Sequence, residues 1–238
     1  MPNPFHPDIA VLQRIRPMCE ADLARVAELH KAAMGNSLWA QLGHRFLMEI
    51  YRALLQHAEF LGFVYEEQGE IEGFIAGSLD TAAMMRGIAL KRLHRLSLAA
   101  LFGLRNPKIL RRLLETPFYF RNSSAPNPST HVTAESLFCS FTPKTRGKRI
   151  SGHINKVLFD TLLFEGHSQV KITTETDNEE ANRQLQSWGF QAHGKFQFYG
   201  KEMVLYILDL NESDRVMALD WRKPYAVQNF QSNLPDSV

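Results

Sequence analysis

Residues 143–152 combine basic, small and glycine residues at a point where a strand-like run gives way to a helical one. The segment reads PKTRGKRISG and contains four cations, Lys144, Arg146, Lys148 and Arg149. Backbone N–H groups at a helix N-terminus point into the preceding turn, where the helix dipole is positive, and small residues let an anion approach closely. The pattern predicts an anion-binding turn, with a basic surface turn as the alternative. It matches neither a Walker loop nor a dinucleotide-binding glycine fingerprint.

A second segment, residues 177–190, has the two ends of a short helix. It begins with an Asp-Asn pair that can serve as an N-cap, and it ends in glycine at Gly189. By itself this segment predicts only a helix between two strands.

Together the two segments resemble the GNAT N-acetyltransferase superfamily. Its coenzyme A loop reads Arg/Gln-x-x-Gly-x-Gly/Ala between a strand and a helix, and residues 146–151 fall in that register. Its downstream motif, Asn-x-x-Ala-x-x-x-Tyr-x-x-x-Gly-Phe, is matched at Asn178, Ala181, Gly189 and Phe190. The resemblance covers most of residues 11–210 outside one insert.

The chain departs from the family pattern at two places. Arg149 and Ser151 stand where the loop usually has glycines, and a register that starts at Arg149 and places Gly152 as its first glycine is an alternative. Leu185 replaces the tyrosine that often protonates the leaving thiolate in this superfamily. Tyr199 is our candidate proton donor in its place, with packing in the core or a turn as the alternative.

The resemblance implies that acetyl-CoA is the cosubstrate and that its acetyl group passes to a primary amine. Two parallel strands are expected to splay, so that the backbone of the preceding strand hydrogen-bonds the pantetheine arm while the loop binds the pyrophosphate. Amides of residues 138–141 are expected to polarise the thioester carbonyl. The expected cofactor contacts are Phe141, Thr142, Arg146, Gly147, Lys148, Arg149, Ile150, Ser151, Gly152 and Asn178.

N-acetylation also requires a proton acceptor, because an alkylammonium has a pKa of about 10.4. In several members of the superfamily this is a glutamate on the strand before the loop. Glu135, in AESLFC, matches the local pattern of the histone-modifying branch, and a solvated glutamate at a strand start is the alternative. Period-two alternation predicts that Glu135, Leu137, Cys139 and Phe141 share one face of the strand.

The elements around these motifs follow from hydrophobic periodicity and turn residues. Strands are predicted at residues 11–16, 60–66, 71–78, 134–142, 169–175, 194–199 and 203–210. Helices are predicted at residues 20–33, 38–57, 151–166 and 178–187. This order predicts an α/β fold, specifically the GNAT fold, with a mixed central sheet flanked by helices on both faces and a basic helical insert after the third strand.

We predict a single acetyltransferase domain over residues 1–210, with a helical insert and loop at 81–130. Residues 211–238 form either a docked arm or a tail. Residues 81–122 contain nine basic residues and one acid. They could form a lid for an anionic acceptor, a basic hairpin on an anionic membrane surface, or an element packed on the core or on a second subunit of a homodimer.

The acceptor itself is left open by the sequence. A nucleotide-linked amino sugar is favoured by a weaker likeness to bacterial proteins of polysaccharide biosynthesis, and other small amines, amino acids and peptide amines are alternatives. A coenzyme A-binding, membrane-bound or assembly module with little catalysis is the alternative function. We expect a cytoplasmic location, since no signal peptide is evident and the two cysteines are far apart. No metal site and no nucleic-acid partner are expected.

Overall fold

The strands of one sheet come from both halves of the chain. The computed structural model describes residues 6–35, 37–101, 131–198, 200–223 and 226–232, with the backbone alone at 92–101. Within these ranges the strands are β1 Ile15–Pro17, β2 Phe60–Glu67, β3 Glu70–Ser78, β4 Glu135–Phe141, β5 Gln169–Glu175, β6 Gln191–Phe198 and β7 Lys201–Asp209. They lie in the order β1-β2-β3-β4-β5-β7-β6. β4 and β5 are parallel, and the other neighbouring pairs are antiparallel.

Helices cover both faces of this sheet. In the described ranges they are α1 Ile9–Leu12, α2 Leu23–Ala33, α3 Leu38–Gln41, α4 His44–Leu55, α5 Thr81–Leu101, α6 Ile150–Phe164, α7 Glu179–Ser187 and α8 Ala226–Ser232. Buried side chains of α6 and α7 pack on one face, and those of α2, α4 and α5 pack on the other. The predicted fold class, a mixed sheet with helices on both faces, is therefore confirmed.

The β2–β3 hairpin follows from its two turn residues. Gln68 and Gly69 both have positive φ, at 56° and 80°. A two-residue turn with this geometry matches the right-handed twist of the strands that it joins. The predicted hairpin is confirmed.

Two element predictions are wrong in detail. The side chain of Asp8 accepts a hydrogen bond from the N–H of Ala10 at 2.8 Å and caps α1, so the predicted strand at residues 11–16 begins only at Ile15. The predicted helix at 38–57 is divided into α3 and α4 at Gly43, whose φ of 100° is incompatible with a continuous helix.

The C-terminal segment packs on the core. The indole N–H of Trp221 donates to the buried carboxylate of Asp160 at 2.9 Å. Lys156 of α6, also buried, forms an ion pair with Asp160 at 3.0 Å and donates to the carbonyl of Arg215 at 2.7 Å. Trp221 and Phe230 of this segment are thus buried against the core.

The predicted insert is described only in part. Its first helix is α5, and the residues predicted to form its second helix and the following loop lie outside the described residues. Among the helices that the structure describes, none has the length and apolar character needed to cross a membrane.

Candidate functional site

β4 and β5 are paired over only a short stretch. Parallel pairing joins Glu135 to Lys171 and Ser136 to Ile172. Both strands continue beyond these residues, but no further pairing between them occurs in the described ranges. The strands therefore splay, which leaves a slot along one edge of β4. An extended ligand can enter such a slot and form the hydrogen bonds of a missing strand.

The pairing of β4 with β3 determines which backbone groups face this slot. The N–H of Thr142 donates to the carbonyl of Glu72, on β3, at 2.8 Å. In an antiparallel pair, the backbone N–H and C=O groups of successive residues point alternately toward and away from the partner strand. Those of Cys139 and Phe141 therefore face the slot. The carbonyl of Thr142 is also engaged, since it accepts hydrogen bonds from the N–H and the hydroxyl of Thr145. The backbone of Phe141, but not that of Thr142, is thus available to a ligand.

A β-bulge changes the direction of side chains along β4. The ladder with β3 shifts register between Ser136 and Phe138, so Leu137 is the additional residue. Leu137 and Phe138 both pack on the side of α2 and α4, whereas Cys139 and Phe141 pack on the side of α6. The predicted single face for odd-numbered residues 135–141 is therefore wrong, because the bulge moves the later residues to the opposite face.

Glu135 lies on the α2–α5 side of the sheet, at the closed end of the slot. Its register partner on β3 is Ser78. Period-two alternation places Ser78 on the same face as Phe74 and Ala76, which pack there. The candidate base is therefore beside the point where β4 and β5 separate.

Burial and nearby polar groups act on Glu135 in opposite directions. Burial raises the pKa of this carboxyl group, while the ammonium of Lys171, at 3.9 Å, and the hydroxyl of Thr81 lower it. Local sequence patterns could not reveal this arrangement, because the three residues come from different elements. On the opposite face of β4, burial raises the pKa of the Cys139 thiol to about 12, so it remains protonated near neutral pH and is a poor nucleophile.

The loop after β4 presents a group of backbone donors at the start of α6. The N–H groups of Gly147, Arg149, Ile150 and Ser151 have no hydrogen-bond acceptor among the described residues. That of Gly152 donates to the carbonyl of Arg149 at 3.1 Å. Arg149 has a φ of 56°, in the left-handed region that favours glycine. The loop therefore presents unpaired backbone donors at the start of α6, as the predicted anion site requires, and one of its arginines adopts a glycine-like backbone conformation.

Two glutamates hold the lysines of this loop. Lys144 donates to the buried carboxylate of Glu72 at 2.9 Å, and Lys148 donates to Glu67 at 2.7 Å. The exposed guanidinium groups of Arg146 and Arg149 form no ion pair within the described part of the chain. The two arginines thus supply positive charge that the hairpin carboxylates do not neutralise.

The second motif has a structural role in its helix. The side chain of Asn178 accepts a hydrogen bond from the N–H of Ala181 at 3.2 Å and caps α7. Leu185, which replaces the family tyrosine, is buried in the core between the sheet and α6. Tyr199, the candidate proton donor, lies outside the described residues.

A buried aromatic group adjoins β4 on the face that carries Glu135. His30 of α2 is fully buried, with its Nδ1 atom 2.8 Å from the hydroxyl of Tyr51. Its ring lies 4.9 Å from that of Phe138, which in turn lies 5.0 Å from that of Trp39. Burial lowers the pKa of His30 to about 4, so the imidazole is neutral near pH 7. Residues that are far apart in the chain meet here, and local sequence patterns could not reveal this.

Comparison of the sequence with known proteins gives one short match. No family model matches the chain. Over 67 residues it is 30% identical to a mycothiol acetyltransferase of Brachybacterium faecium, which covers 28% of this chain and 20% of that protein. The match therefore spans only a fifth of the relative's length.

Comparison of the structure gives much broader matches. The Salmonella typhimurium protein yncA, described as an acetyltransferase and solved with its cofactor acetyl-CoA, is 15% identical, with a TM-score of 0.52 over 84% of this chain and 95% of its own. A ribosomal-protein-alanine N-acetyltransferase of Brucella melitensis is 15% identical, with a TM-score of 0.53 over 82% and 99%. The ribosomal-protein-S18-alanine N-acetyltransferase of Escherichia coli is 11% identical, with a TM-score of 0.50 over 82% and 92%. At these identities the likeness establishes architecture, and the chain has the GNAT fold.

Proposed function

We propose that this chain is an acetyl-CoA-dependent N-acetyltransferase that acts on a primary amine. The observation that carries the proposal is the continuity between the slot and the anion-binding turn. β4 lines the slot and leads directly into the turn at the start of α6. A ligand with an amide-containing arm attached to a pyrophosphate requires these two features side by side, and coenzyme A has this chemistry.

The residues at the site fit such a ligand. The backbone of Cys139 and Phe141 would pair with the amides of the arm, and the N–H groups of Gly147, Arg149, Ile150 and Ser151 would bind the pyrophosphate. The positive φ of Arg149 favours the register in which Arg149 and Ser151 occupy the family's glycine positions. Arg146 and Arg149 add charge-assisted contacts. We retain Lys148, Gly152 and Asn178 as neighbours of the cofactor, although each already has a partner within the chain.

The reaction that follows is a direct transfer. Acetyl-CoA supplies the acetyl group as a thioester, and its thiolate leaves when the amine nitrogen bonds to the carbonyl carbon. Glu135 accepts the amine proton, since it is the carboxylate at the closed end of the slot. The slot-facing N–H of Cys139 stabilises the negative charge that develops on the carbonyl oxygen. Tyr199 stays our candidate for protonating the thiolate.

For the acceptor we propose a small molecule with an anionic group, and a nucleotide-linked amino sugar is the first compound to test. The nine basic residues of the 81–122 segment favour an anion near the site. Because similar proteins are named a mycothiol acetyltransferase and ribosomal-protein-alanine N-acetyltransferases, acceptors suggested by those names belong in the same panel. We also propose that the protein works in the cytoplasm, which fits two free cysteines.

Acetyl-CoA binding is the primary test, by calorimetry and by the shift in Tm. At a ligand concentration about 100 times Kd the stabilisation is about 2.7 kcal/mol, so a clear rise in Tm is expected at about 1 mM ligand. Arg146→Ala should weaken binding, whereas Arg183→Ala, which removes an exposed arginine paired with Glu179 on α7, should not. The absence of any binding at this concentration would contradict the proposal.

Turnover separates the enzyme from a binding module. Release of free thiol from acetyl-CoA should depend on an acceptor in the panel and should fall strongly in Glu135→Gln. Binding of acetyl-CoA without acceptor-dependent thiol release across the panel would favour the second candidate, a coenzyme A-binding protein with little catalysis.

A further inference from the structure

A row of polar side chains crosses three neighbouring strands on the α2–α5 side of the sheet. In register, Ser78 of β3 pairs with Glu135 of β4, and Glu135 pairs with Lys171 of β5. Cross-strand partners on one face have Cβ atoms about 5 Å apart. Thr81, the first residue of α5, follows Ser78 by three positions, and its hydroxyl also acts on Glu135. Lys171 and the hydroxyl of Thr81 thus act on Glu135, and Ser78 is its register partner on β3.

The hydroxyls of Ser78 and Thr81 have no hydrogen-bond partner within the described residues. Both side chains are buried, with Ser78 at 0% and Thr81 at 9% exposure. A buried hydroxyl without a partner costs about 1–3 kcal/mol, so two adjacent examples are unusual. By contrast, the buried hydroxyl of Thr161 donates to the carbonyl of Val157 at 2.8 Å.

The carboxylate of Glu135, in turn, lacks well-formed hydrogen bonds from the described residues. The ammonium of Lys171, at 3.9 Å, is beyond hydrogen-bond distance, and the hydroxyl of Thr81 lowers the pKa of this carboxyl group without forming a hydrogen bond of normal geometry. Hydrogen-bond donors stabilise the ionised form of a carboxylate that is only 19% exposed. Two hydroxyls without a partner in the described structure and a carboxylate without a well-formed hydrogen bond therefore share this face of the sheet.

After burial, the charge of Lys171 has the largest effect on the pKa of Glu135, and the hydroxyl of Thr81 follows it. From β5 the charged neighbour is Lys171. From α2 the nearest such group on this face is His30, which is neutral near pH 7 and contacts Phe138. At the start of α5, the side chain of Asp80 accepts a hydrogen bond from the N–H of Ala83 at 2.8 Å and is engaged in capping the helix.

We propose that Ser78 and Thr81 are positioning residues for Glu135, whose ionised carboxylate accepts hydrogen bonds from both hydroxyls when it takes the acceptor's proton. This inference rests on the proposed function, because it assigns the two hydroxyls to the candidate base. Hydroxyl donors stabilise the carboxylate relative to the carboxylic acid, which counteracts the effect of burial. Since Thr81 begins α5, the first helix of the basic insert is also tied to the base.

The test compares the titration of Glu135 in five proteins: wild type, Ser78→Ala, Thr81→Val, Thr81→Ser and Thr161→Val. The carboxyl ¹³C signal of Glu135 is assigned by its loss in Glu135→Gln and is followed against pH. A hydrogen bond to a charged group is worth about 1.5 kcal/mol or more, so loss of one hydroxyl should raise the pKa of Glu135 by about one unit. Thr81→Ser should restore the wild-type value. Thr161→Val, which removes an unrelated buried hydroxyl, should not change it.

The acid limb of the pH profile of kcat/KM gives a second readout, and it should move upward by the same amount in Thr81→Val and Ser78→Ala. If the pKa of Glu135 is unchanged in folded Thr81→Val and Ser78→Ala, the positioning role is wrong, even if the wild type turns over. If the pKa shifts but no acceptor is acetylated, the hydroxyl–carboxylate pairing stands and the proposed function fails. If Thr81→Val does not fold, Ser78→Ala still tests the proposal, because it is a nearly isosteric change.

Discussion

The hydroxyl of Thr142 donates a hydrogen bond of 2.6 Å to the buried carboxylate of Glu72, which fixes the end of β4 to β3. Glu72 also accepts from Lys144, and these two hydrogen bonds lower the pKa of its carboxyl group. The start of the loop at residues 143–152 is therefore anchored to β3 by the side chain of Glu72.

We expect Glu72→Ala to weaken acetyl-CoA binding about tenfold. The hydrogen bonds to this charged group contribute about 1.5 kcal/mol or more, and without them the start of the loop is held less firmly in its binding geometry. Calorimetric Kd values measure this effect. Glu70→Ala, on the exposed end of the same strand, is the matched control and should bind normally. Equal Kd values for the wild type and Glu72→Ala would show that the anchor does not shape the site.

The two kinds of cation in the turn should differ in their effect on binding. Arg146 has no ion pair in the described residues, whereas Lys148 is paired with Glu67. Arg146→Ala should raise the Kd for acetyl-CoA about tenfold and reduce its dependence on salt, since a charge-assisted phosphate contact is lost. Lys148→Ala should change Kd by less than about threefold, because exposed ion pairs contribute little.

Acetyl-pantetheine, which lacks the pyrophosphate, provides the control ligand. Its affinity should be the same in the wild type and in Arg146→Ala. A parallel loss for both ligands would mean that Arg146 supports the fold of the turn rather than the phosphates.

The left-handed backbone of Arg149 predicts a stabilising substitution. Arg149→Gly should raise the free energy of unfolding by up to about 1 kcal/mol, because glycine adopts this φ without strain. A β-branched residue is least tolerant of positive φ, so Arg149→Val should lower the free energy by about 1–2 kcal/mol. Urea unfolding measures both effects.

Lys148→Gly is the control for Arg149→Gly, because Lys148 is not among the residues with positive φ. It should lower the free energy of unfolding by about 0.5–1 kcal/mol. A lower stability for Arg149→Gly than for Lys148→Gly would show that the backbone at Arg149 is not strained.

Buried His30 should make stability depend on pH between about 4 and 6.5. Its pKa is lowered from 6.5 to about 4 in the folded protein, so the unfolded chain binds more protons in this interval. The contribution of His30 to the free energy of unfolding is fully present above pH 6.5. It is lost as pH falls toward 4, and the total loss is roughly 3 kcal/mol.

The measurement is the slope of the unfolding free energy against pH in the wild type and in His30→Gln. The glutamine variant should be less stable at pH 7, because the hydrogen bond with Tyr51 is disturbed, but its slope between pH 4.5 and 6.5 should be smaller. Identical slopes would mean that His30 is protonated within the fold.

Features that depend on neighbouring residues could be predicted from the sequence. The strand at residues 169–175 has the predicted bounds, and the hairpin at Gln68 and Gly69 follows from turn geometry. The helices predicted at residues 151–166 and 178–187 were found within one or two residues, at Ile150–Phe164 and Glu179–Ser187. Where two local signals competed, the prediction failed: an Asp8 cap produced a short helix in a segment whose alternation suggested a strand.

The candidate site was predictable as a list of residues but not as a spatial arrangement. The sequence placed Glu135 before the turn, yet its face depends on a bulge at Leu137, which arises from register with β3. The neighbours that act on Glu135, Thr81 and Lys171, are 54 and 36 positions away, and no periodicity links them.

The sequence by itself determined the order of elements, the turn with its cations, and the mixed sheet, because backbone preferences, glycine positions and apolar periodicity act over a few residues. Only the tertiary structure decided the splay of β4 from β5, the pairing of the turn's lysines with Glu67 and Glu72, and the docking of Trp221 on Asp160. These features come from strand register and side-chain packing between distant segments, and such contacts form only when the sheet brings those segments together.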